Sequence, residues 1–393
     1  MTTQQPDQAT PTDPASELAA TGTAAPAQAS AAGEQDGITV PAAPRARVAM
    51  LSLGGTIFMT QDLTGLRATP DASIGADLSR TLIDGVAVTH TEVANVGSPS
   101  VTAAHLRDVL ELARRAVDDG AAGVVLTHGT DTLEESAFLL NRYWDREAPL
   151  VLTGAMRPAN APGADGPANL RDAVRTAAAP SARGLGVLAV FDALVHLADR
   201  VTKTSSRSVD AFASEPSGPM ALVDEEDLRL LYQPLERTAL IGGELPEHLP
   251  RAPVVMSGIG EDLAMLDALA PDAIDGLVIA GAGMGHVSAS AVPRVRALVG
   301  SGVPVVVATR VATGGTSTRH YDYPGSEVDL IANGAVMAGA LPPQKARLLL
   351  QVLLAGTSGP ASTPGAAGPA GISGTADATV CDRVRAAFEA YAY

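Results

Sequence analysis

A chain of 393 residues is long enough for two α/β layers rather than one compact core. With 43 Asp and Glu against 27 Lys and Arg, the net charge of −16 repels polyanions, and no basic cluster offsets it, which argues against nucleic acid as a partner. A single cysteine, Cys381, excludes an internal disulfide and a thiolate metal cluster, and aromatics at 3% leave the cores to Ala, Val and Leu, as in stacked parallel layers.

Residues 1–45 are rich in Ala, Thr, Gln, Pro and Ser, with no Lys or Arg before Arg45. They read as a disordered tail without the basic start and apolar run of a secretory signal. No run approaches the roughly 20 apolar residues of a membrane span, so the expectation is a cytoplasmic protein with no membrane partner.

Strand-like and helical patterns then alternate, the sequence form of repeated βαβ units. A strand over 47–53 ends in Gly54-Gly55-Thr56, and 60–73 read as a long mobile loop. A strand over 86–93 leads to Gly97-Ser98-Pro99-Ser100, and a helix follows over 102–117. The strand 123–126 runs into Thr127-His128-Gly129-Thr130-Asp131-Thr132, and the next helix carries Glu134 and Glu135 in its first turn, where acids suit the positive end of the helix. The strand 150–152 runs into Gly154-Ala155-Met156-Arg157-Pro158, a helix passes through Arg171 and Val174, and a strand spans 186–191. After Val201-Thr202-Lys203-Thr204 the alternation weakens, and 236–251 read as a linker. Alternation resumes with strands at 253–256, 276–280 and 303–308 and helices near 263–269 and 291–298. A helix over 343–355, a low-complexity insertion over 356–378 and a helix over 382–391 complete the chain. The fold class is α/β: a larger N-terminal domain over 46–235 with a mainly parallel sheet, and a smaller C-terminal α/β domain over 252–393.

Ligands of open parallel sheets sit beyond the carboxyl ends of the strands, and four Gly- or hydroxyl-bearing segments fall there. Glycine admits close backbone approach, and hydroxyls and amides bind small polar molecules directionally. A threonine hydroxyl becomes a nucleophile only when a partner takes its proton. Of the 27 basic residues only Lys203 and Lys345 are lysines, and arginine does not serve as a proton acceptor. His128 reads as a polar cap at a strand end, and with no second ligand at metal-binding spacing neither a metal nor a cofactor is expected.

Leu53-Gly54-Gly55-Thr56-Ile57, the run from Thr127 to Glu135, Gly154-Ala155-Met156-Arg157-Pro158, Ala164-Asp165-Gly166-Pro167 with Asn169-Leu170, Val201-Thr202-Lys203-Thr204 and Pro343-Gln344-Lys345-Ala346-Arg347 resemble, in order and spacing, the bacterial-type L-asparaginase family. The resemblance covers about residues 47–356. It implies two α/β domains, with active sites formed between the N-terminal domain of one subunit and the C-terminal domain of its neighbour, in a homotetramer built as a dimer of dimers. It implies L-asparagine as substrate, with L-glutamine a slower one. Thr56 would attack the amide carbon, giving an acyl-enzyme and ammonia, and water would then release L-aspartate. Thr130, Asp131 and Lys203 would form a second group in which Lys203 accepts the Thr130 proton. The substrate-binding set would be Gly55, Gly97 and Ser98, the last two at the α-carboxylate; Asp131 at the α-ammonium; Ala155 through its carbonyl; and Glu327 from the adjacent subunit. Family members commonly carry a tyrosine in the loop after Gly-Gly-Thr, whereas 58–80 here contain no Tyr, His, Lys or Glu. The expected substitute is Tyr321 or Tyr323 of the neighbouring chain. Three alternatives share these motifs: a glutaminase-asparaginase, the amidase subunit of a tRNA-dependent amidotransferase, and an amino-acid-binding sensor on the same scaffold.

Overall fold

The computed structural model describes residues 46–62, 65–68, 83–224, 227–234, 241, 243–269, 272–356 and 379–392. The expected tail over 1–45, the insertion over 356–378 beyond Gly356, and 236–240 and 242 of the expected linker lie outside the described residues.

In chain order the strands are β1 (Ala46–Ser52), β2 (Met59–Asp62), β3 (Gly65–Ala68), β4 (Val86–Glu92), β5 (Gly123–Thr127), β6 (Leu150–Thr153), β7 (Val187–Phe191), β8 (Leu194–Leu197), β9 (Thr202–Lys203), β10 (Phe212–Ala213), β11 (Ala221–Asp224), β12 (Asp227–Leu230), β13 (Val254–Met256), β14 (Leu277–Gly281), β15 (Val305–Thr309) and β16 (Val336–Met337). The helices are α1 (Ala103–Asp118), α2 (Leu133–Tyr143), α3 (Gly166–Ala178), α4 (Val292–Gly300), α5 (Glu327–Ala332), α6 (Pro343–Ala355) and α7 (Val380–Glu389).

The larger sheet has the order β12-β11-β8-β7-β6-β5-β1-β4. Pairing is parallel from β4 through β1, β5 and β6 to β7, and antiparallel from β7 through β8 and β11 to β12. The smaller sheet, β13-β14-β15-β16, is parallel throughout. Buried strands here are continuous apolar runs, such as the fully buried β5 and β14, as expected where helices cover both faces. β4 and β5 flank β1 on opposite sides, so the chain changes direction at β1 and its neighbouring loops splay apart, which is where such sheets open a ligand crevice.

α1 has the amphipathic stripe its sequence suggests: Leu106, Val109, Leu110 and Ala113 are buried, and Thr102 caps its first turn by accepting from the His105 N–H. α2 is different. Ten of its eleven residues are buried, Glu134, Asn141 and Arg142 among them, because it lies between the large sheet and α6 of the smaller domain. α3 covers the opposite face of the large sheet through Leu170, Ala173, Val174 and Ala177.

The segment read as a loop over 60–73 contains an antiparallel hairpin, β2 with β3, whose register runs from Met59 opposite Ala68 to Asp62 opposite Gly65. The turn near 263–269 is a short 3-10 helix, Ala264–Ala268, entered by Leu263 at φ 61°, rather than an α-helix. Glu327 opens α5, an element that periodicity did not single out because it is only six residues long. No helix among the described residues is long and apolar enough to cross a membrane.

Candidate active site

Four loops meet beyond the carboxyl ends of β1, β4, β5 and β6, and glycines set their spacing. Gly54 and Gly55 hold φ values of 99° and 106°, and a Cβ on Gly55 would lie 2.8 Å from the Gly129 nitrogen. A Cβ on Gly129 would lie 2.8 Å from the Ser98 Cβ, and one on Gly154 would lie 2.4 Å from the His128 carbonyl oxygen. Backbone bonds tie the same loops together: Leu53 N–H to Thr127 O at 3.0 Å, Val96 N–H to Leu53 O at 3.0 Å, and His128 N–H to Thr153 O at 2.9 Å.

Thr56 begins a 3-10 turn, Thr56–Phe58, directly after the glycine pair, and is half-buried. Gly97 and Ser98 open the turn after β4, where the buried Ser98 Oγ accepts from the Asp131 N–H at 3.2 Å and its carbonyl accepts from the Thr132 hydroxyl at 2.7 Å. Thr130 is 8% exposed, and its Oγ1 accepts from the Lys203 Nζ at 2.9 Å. The same Nζ donates to Asp131 Oδ1 at 2.6 Å. The Lys203 side chain is 13% exposed and that of Asp131 65%, so the carboxylate stands at the mouth and the amine behind it. The structure thus joins Thr130, Asp131, Lys203 and Ser98 directly, with Gly55 stacked on the Gly129 loop.

Asp165 and Asn169 hold the loop carrying Ala155. The Asp165 carboxylate accepts from the Met156 and Arg157 N–H groups, each at 2.8 Å, and the Asn169 amide donates to Gly154 O at 3.0 Å. Ala155 itself is buried. Glu134 has a role that the helix-end reading missed: one carboxylate oxygen accepts from the Lys203 N–H at 2.9 Å and the other from the Gln344 side-chain amide at 2.8 Å. Its partners are 69 and 210 residues away in sequence, so no local pattern signals them.

Glu327 sits in the smaller domain with no exposed surface. One carboxylate oxygen accepts from the His320 and Tyr321 N–H groups at 2.6 and 2.8 Å, and the other meets His286 Nε2 at 2.9 Å. Burial pushes its carboxyl up, but these donors outweigh burial and leave it below the usual carboxylate value. A carboxylate at Nε2 requires a proton there, which leaves His286 Nδ1 to accept from the Tyr323 hydroxyl at 2.7 Å.

A cleft of about 950 Å³ between the two sheets has Thr202, Lys203, Thr204, Arg310 and Gln344 on its walls. Thr56, Thr130 and Asp131 do not line it. Of the Thr130, Asp131 and Lys203 group, it reaches only Lys203.

His128 is buried, with Nδ1 2.7 Å from Gly129 O and Nε2 2.9 Å from Ser136 Oγ, which agrees with its reading as a cap. Burial pulls its pKa down to about 4, and does the same for His196, whose Nε2 has no partner among the described residues. Lowered values mean that the unfolded chain binds these protons first, so their stabilising contribution is complete above about pH 6.5 and drains away as pH falls toward 4. Between pH 7 and 5, a window mostly above carboxylate titration, stability drops by about 3 kcal/mol for the pair, read as a lower midpoint in urea. A midpoint constant across that window contradicts the prediction.

The family model for the asparaginase N-terminal domain matches residues 47–236, and that for the glutaminase/asparaginase C-terminal domain matches 253–363. This chain belongs to the asparaginase/glutaminase family. L-asparaginase 2 of Bacillus subtilis is 35% identical over 280 residues, which cover 70% of this chain and 72% of that protein. A probable periplasmic L-asparaginase of Haemophilus influenzae is 34% identical over 329 residues, 81% of this chain and 91% of that one. The crystal structure of a probable cytoplasmic L-asparaginase from Campylobacter jejuni superposes with a TM-score of 0.73 at 27% identity, covering 88% of this chain and 99% of that one. Both α/β domains of the asparaginase/glutaminase family are therefore accounted for here, and the converging loops lie in the N-terminal one.

Proposed function

We propose that the chain is an L-asparaginase that hydrolyses the side-chain amide of L-asparagine to L-aspartate and ammonia through a threonine nucleophile. The observation that carries this reading is the Lys203 amine 2.9 Å from the Thr130 hydroxyl and 2.6 Å from the Asp131 carboxylate, at the glycine-spaced junction that also bears Thr56.

Thr56 Oγ1 attacks the amide carbon, and the proton Thr56 gives up is delivered to the nitrogen as the C–N bond breaks, so that ammonia leaves. Water then attacks the resulting ester, its proton moves through Thr130 to Lys203, and as the ester C–O bond breaks that proton is returned to the Thr56 oxygen, so L-aspartate departs and the hydroxyl is restored. Backbone N–H groups beside Thr56 and Thr130 stabilise the oxyanion, each well-aimed donor being worth about 3 kcal/mol. Asp131 binds the substrate α-ammonium, with Gly97 and Ser98 at the α-carboxylate. Glutamine differs by one methylene, a distinction worth about 1–3 kcal/mol in a pocket, so it is turned over more slowly.

Among the described residues nothing hydrogen-bonds the Thr56 hydroxyl. We assign its proton to Tyr323 of a neighbouring subunit, whose phenol passes its own proton to His286 Nδ1 as it takes that of Thr56; the hydrogen-bonded series Glu327, His286, Tyr323, ending on a phenol 45% exposed, supports this. A homotetramer, a dimer of dimers, supplies that neighbour. Large exposed apolar side chains favour it: among the described residues all except Leu231 lie between Val254 and Ile331, including Met256, Ile259 and Met265. A cytoplasmic location follows the likeness to the Campylobacter protein.

Ammonia release from L-asparagine tests the reading. The wild type turns over, Thr56→Ala does not, and Tyr323→Phe lowers kcat by roughly 10- to 100-fold while Tyr321→Phe has a smaller effect. No release by the wild type removes the assignment, and full activity in Tyr323→Phe removes the role of the phenol.

A further inference from the structure

Resting on that hydrolase reading, we propose that Lys345 is a positioning residue for Lys203: its ammonium grips the turn leading into the acceptor lysine and so sets where that amine meets Thr130. Lys345 is one of two lysines in the chain and is completely buried. All three of its donors are used, to the carbonyls of Ala198, Asp199 and Val201 at 3.2, 3.1 and 2.6 Å. Those carbonyls form the turn between β8 and β9, and Lys203 lies two residues beyond the last of them. β9 is only two residues long, paired with Phe212 and Ala213, so the strand alone gives the lysine little support.

A buried ammonium is costly compared with an apolar side chain of the same length, so its presence needs a return that an apolar residue could not supply. Three carbonyls drawn to one point reinforce a turn that the Arg200 and Val201 N–H groups close on Leu197 O, each at 2.9 Å. Glu134 and Asp199 face the ammonium as anions, Arg142 and Arg200 as cations, and the Phe138 ring lies 5.9 Å from Nζ. Burial draws the Lys345 pKa down to about 8, against the pull of the two carboxylates.

The neighbours of Lys345 on α6 act on the same two segments. Gln344 holds the Glu134 oxygen opposite the one that accepts from the Lys203 N–H, and Arg347 pairs with Glu135 at 2.9 Å. Glu134 stands four residues after Thr130. The first turn of α6 therefore fixes the lysine-bearing segment and the threonine-bearing segment against each other, across the boundary between the two domains.

The test uses the full chain with L-asparagine, comparing wild type with Lys345→Met, Lys345→Arg and Glu134→Gln. Activity is scaled to folded protein. Displacing a reacting group by about 1 Å can cost on the order of 100-fold. Lys345→Met is therefore expected to lower kcat by about 10- to 100-fold with KM within about twofold, and to move one limb of the pH–kcat profile by about half a unit or more, because the acceptor amine loses its set of partners. Lys345→Arg, which keeps charge and donors, recovers part of kcat and returns the limb toward the wild-type position. Glu134→Gln, which should fold because it keeps shape and one acceptor, shifts the profile in the same direction, so the outcome is decided even if Lys345→Met does not fold. A lower active fraction with an unchanged pH profile and unchanged kcat per folded site would mean a merely structural lysine and overturns the proposal while leaving the hydrolase reading intact. A wild type without ammonia release overturns both.

Discussion

Lys203→Met lowers kcat for L-asparagine by about a hundredfold to ten-thousandfold and leaves KM within a few fold. Among the described residues the amine is the only basic group bonded to Thr130 Oγ1, at 2.9 Å, and a general base in such a position contributes about that range. With Asp131 unchanged, its proposed role at the substrate ammonium is kept, so binding suffers less than chemistry. Lys203→Arg does not restore the rate, because a guanidinium cannot take the threonine proton near neutral pH even where it reaches the same oxygen. Steady-state ammonia release with both variants checks this; a Lys203→Met enzyme within tenfold of wild type contradicts it.

Gly55→Ala disables the site by a different route. A Cβ there would lie 2.8 Å from the Gly129 nitrogen and 2.9 Å from the His128 carbonyl carbon, both backbone atoms that cannot rotate away. The φ of 106° adds backbone strain of about 1–3 kcal/mol for any residue with a Cβ. Relief requires the Thr56 loop to separate from the Thr130 loop, and an ångström of separation costs on the order of 100-fold in rate. Gly302→Ala is the control, since Gly302 has a φ of 87° with nothing within 4 Å of the added Cβ. Thermal melts and kcat together distinguish the two: both variants lose stability, and only Gly55→Ala loses turnover. Equal kcat in the two variants would refute the loop-spacing argument.

Much of this site was legible because each contributor sits just after an apolar strand run. Gly54-Gly55-Thr56 follows β1, Gly97-Ser98 follows β4 and Thr130-Asp131 follows β5, so strand assignment alone brought them to one edge of the sheet. The edge strands were harder. β7 turns into β8 through Asp192 and Ala193, both at positive φ, 50° and 60°, so the glycine or asparagine that marks a tight hairpin is missing. β8, β11 and β12 are four residues each, too short for alternation to stand out. The supports of the site were read only in part. Glu134 looked like an acid at a helix N-terminus, which it is, but its bonds to Lys203 and Gln344 span two domains. His286 attracted no notice, since its meaning comes from Glu327 and Tyr323, 41 and 37 residues further on. Sequence patterns report neighbours along a strand or helix; contacts between segments far apart in the chain, within one domain or across two, leave no such trace.

The most direct test of the central claim is to stop the enzyme by rapid acid quench during turnover of L-asparagine and map the acylated peptide by mass spectrometry. The account predicts an aspartyl ester on the peptide containing Thr56, absent from Thr56→Ala and accumulating in Lys203→Met, where its hydrolysis is slowed. An ester on the Thr130 peptide instead, or full turnover by Thr56→Ala, would contradict it.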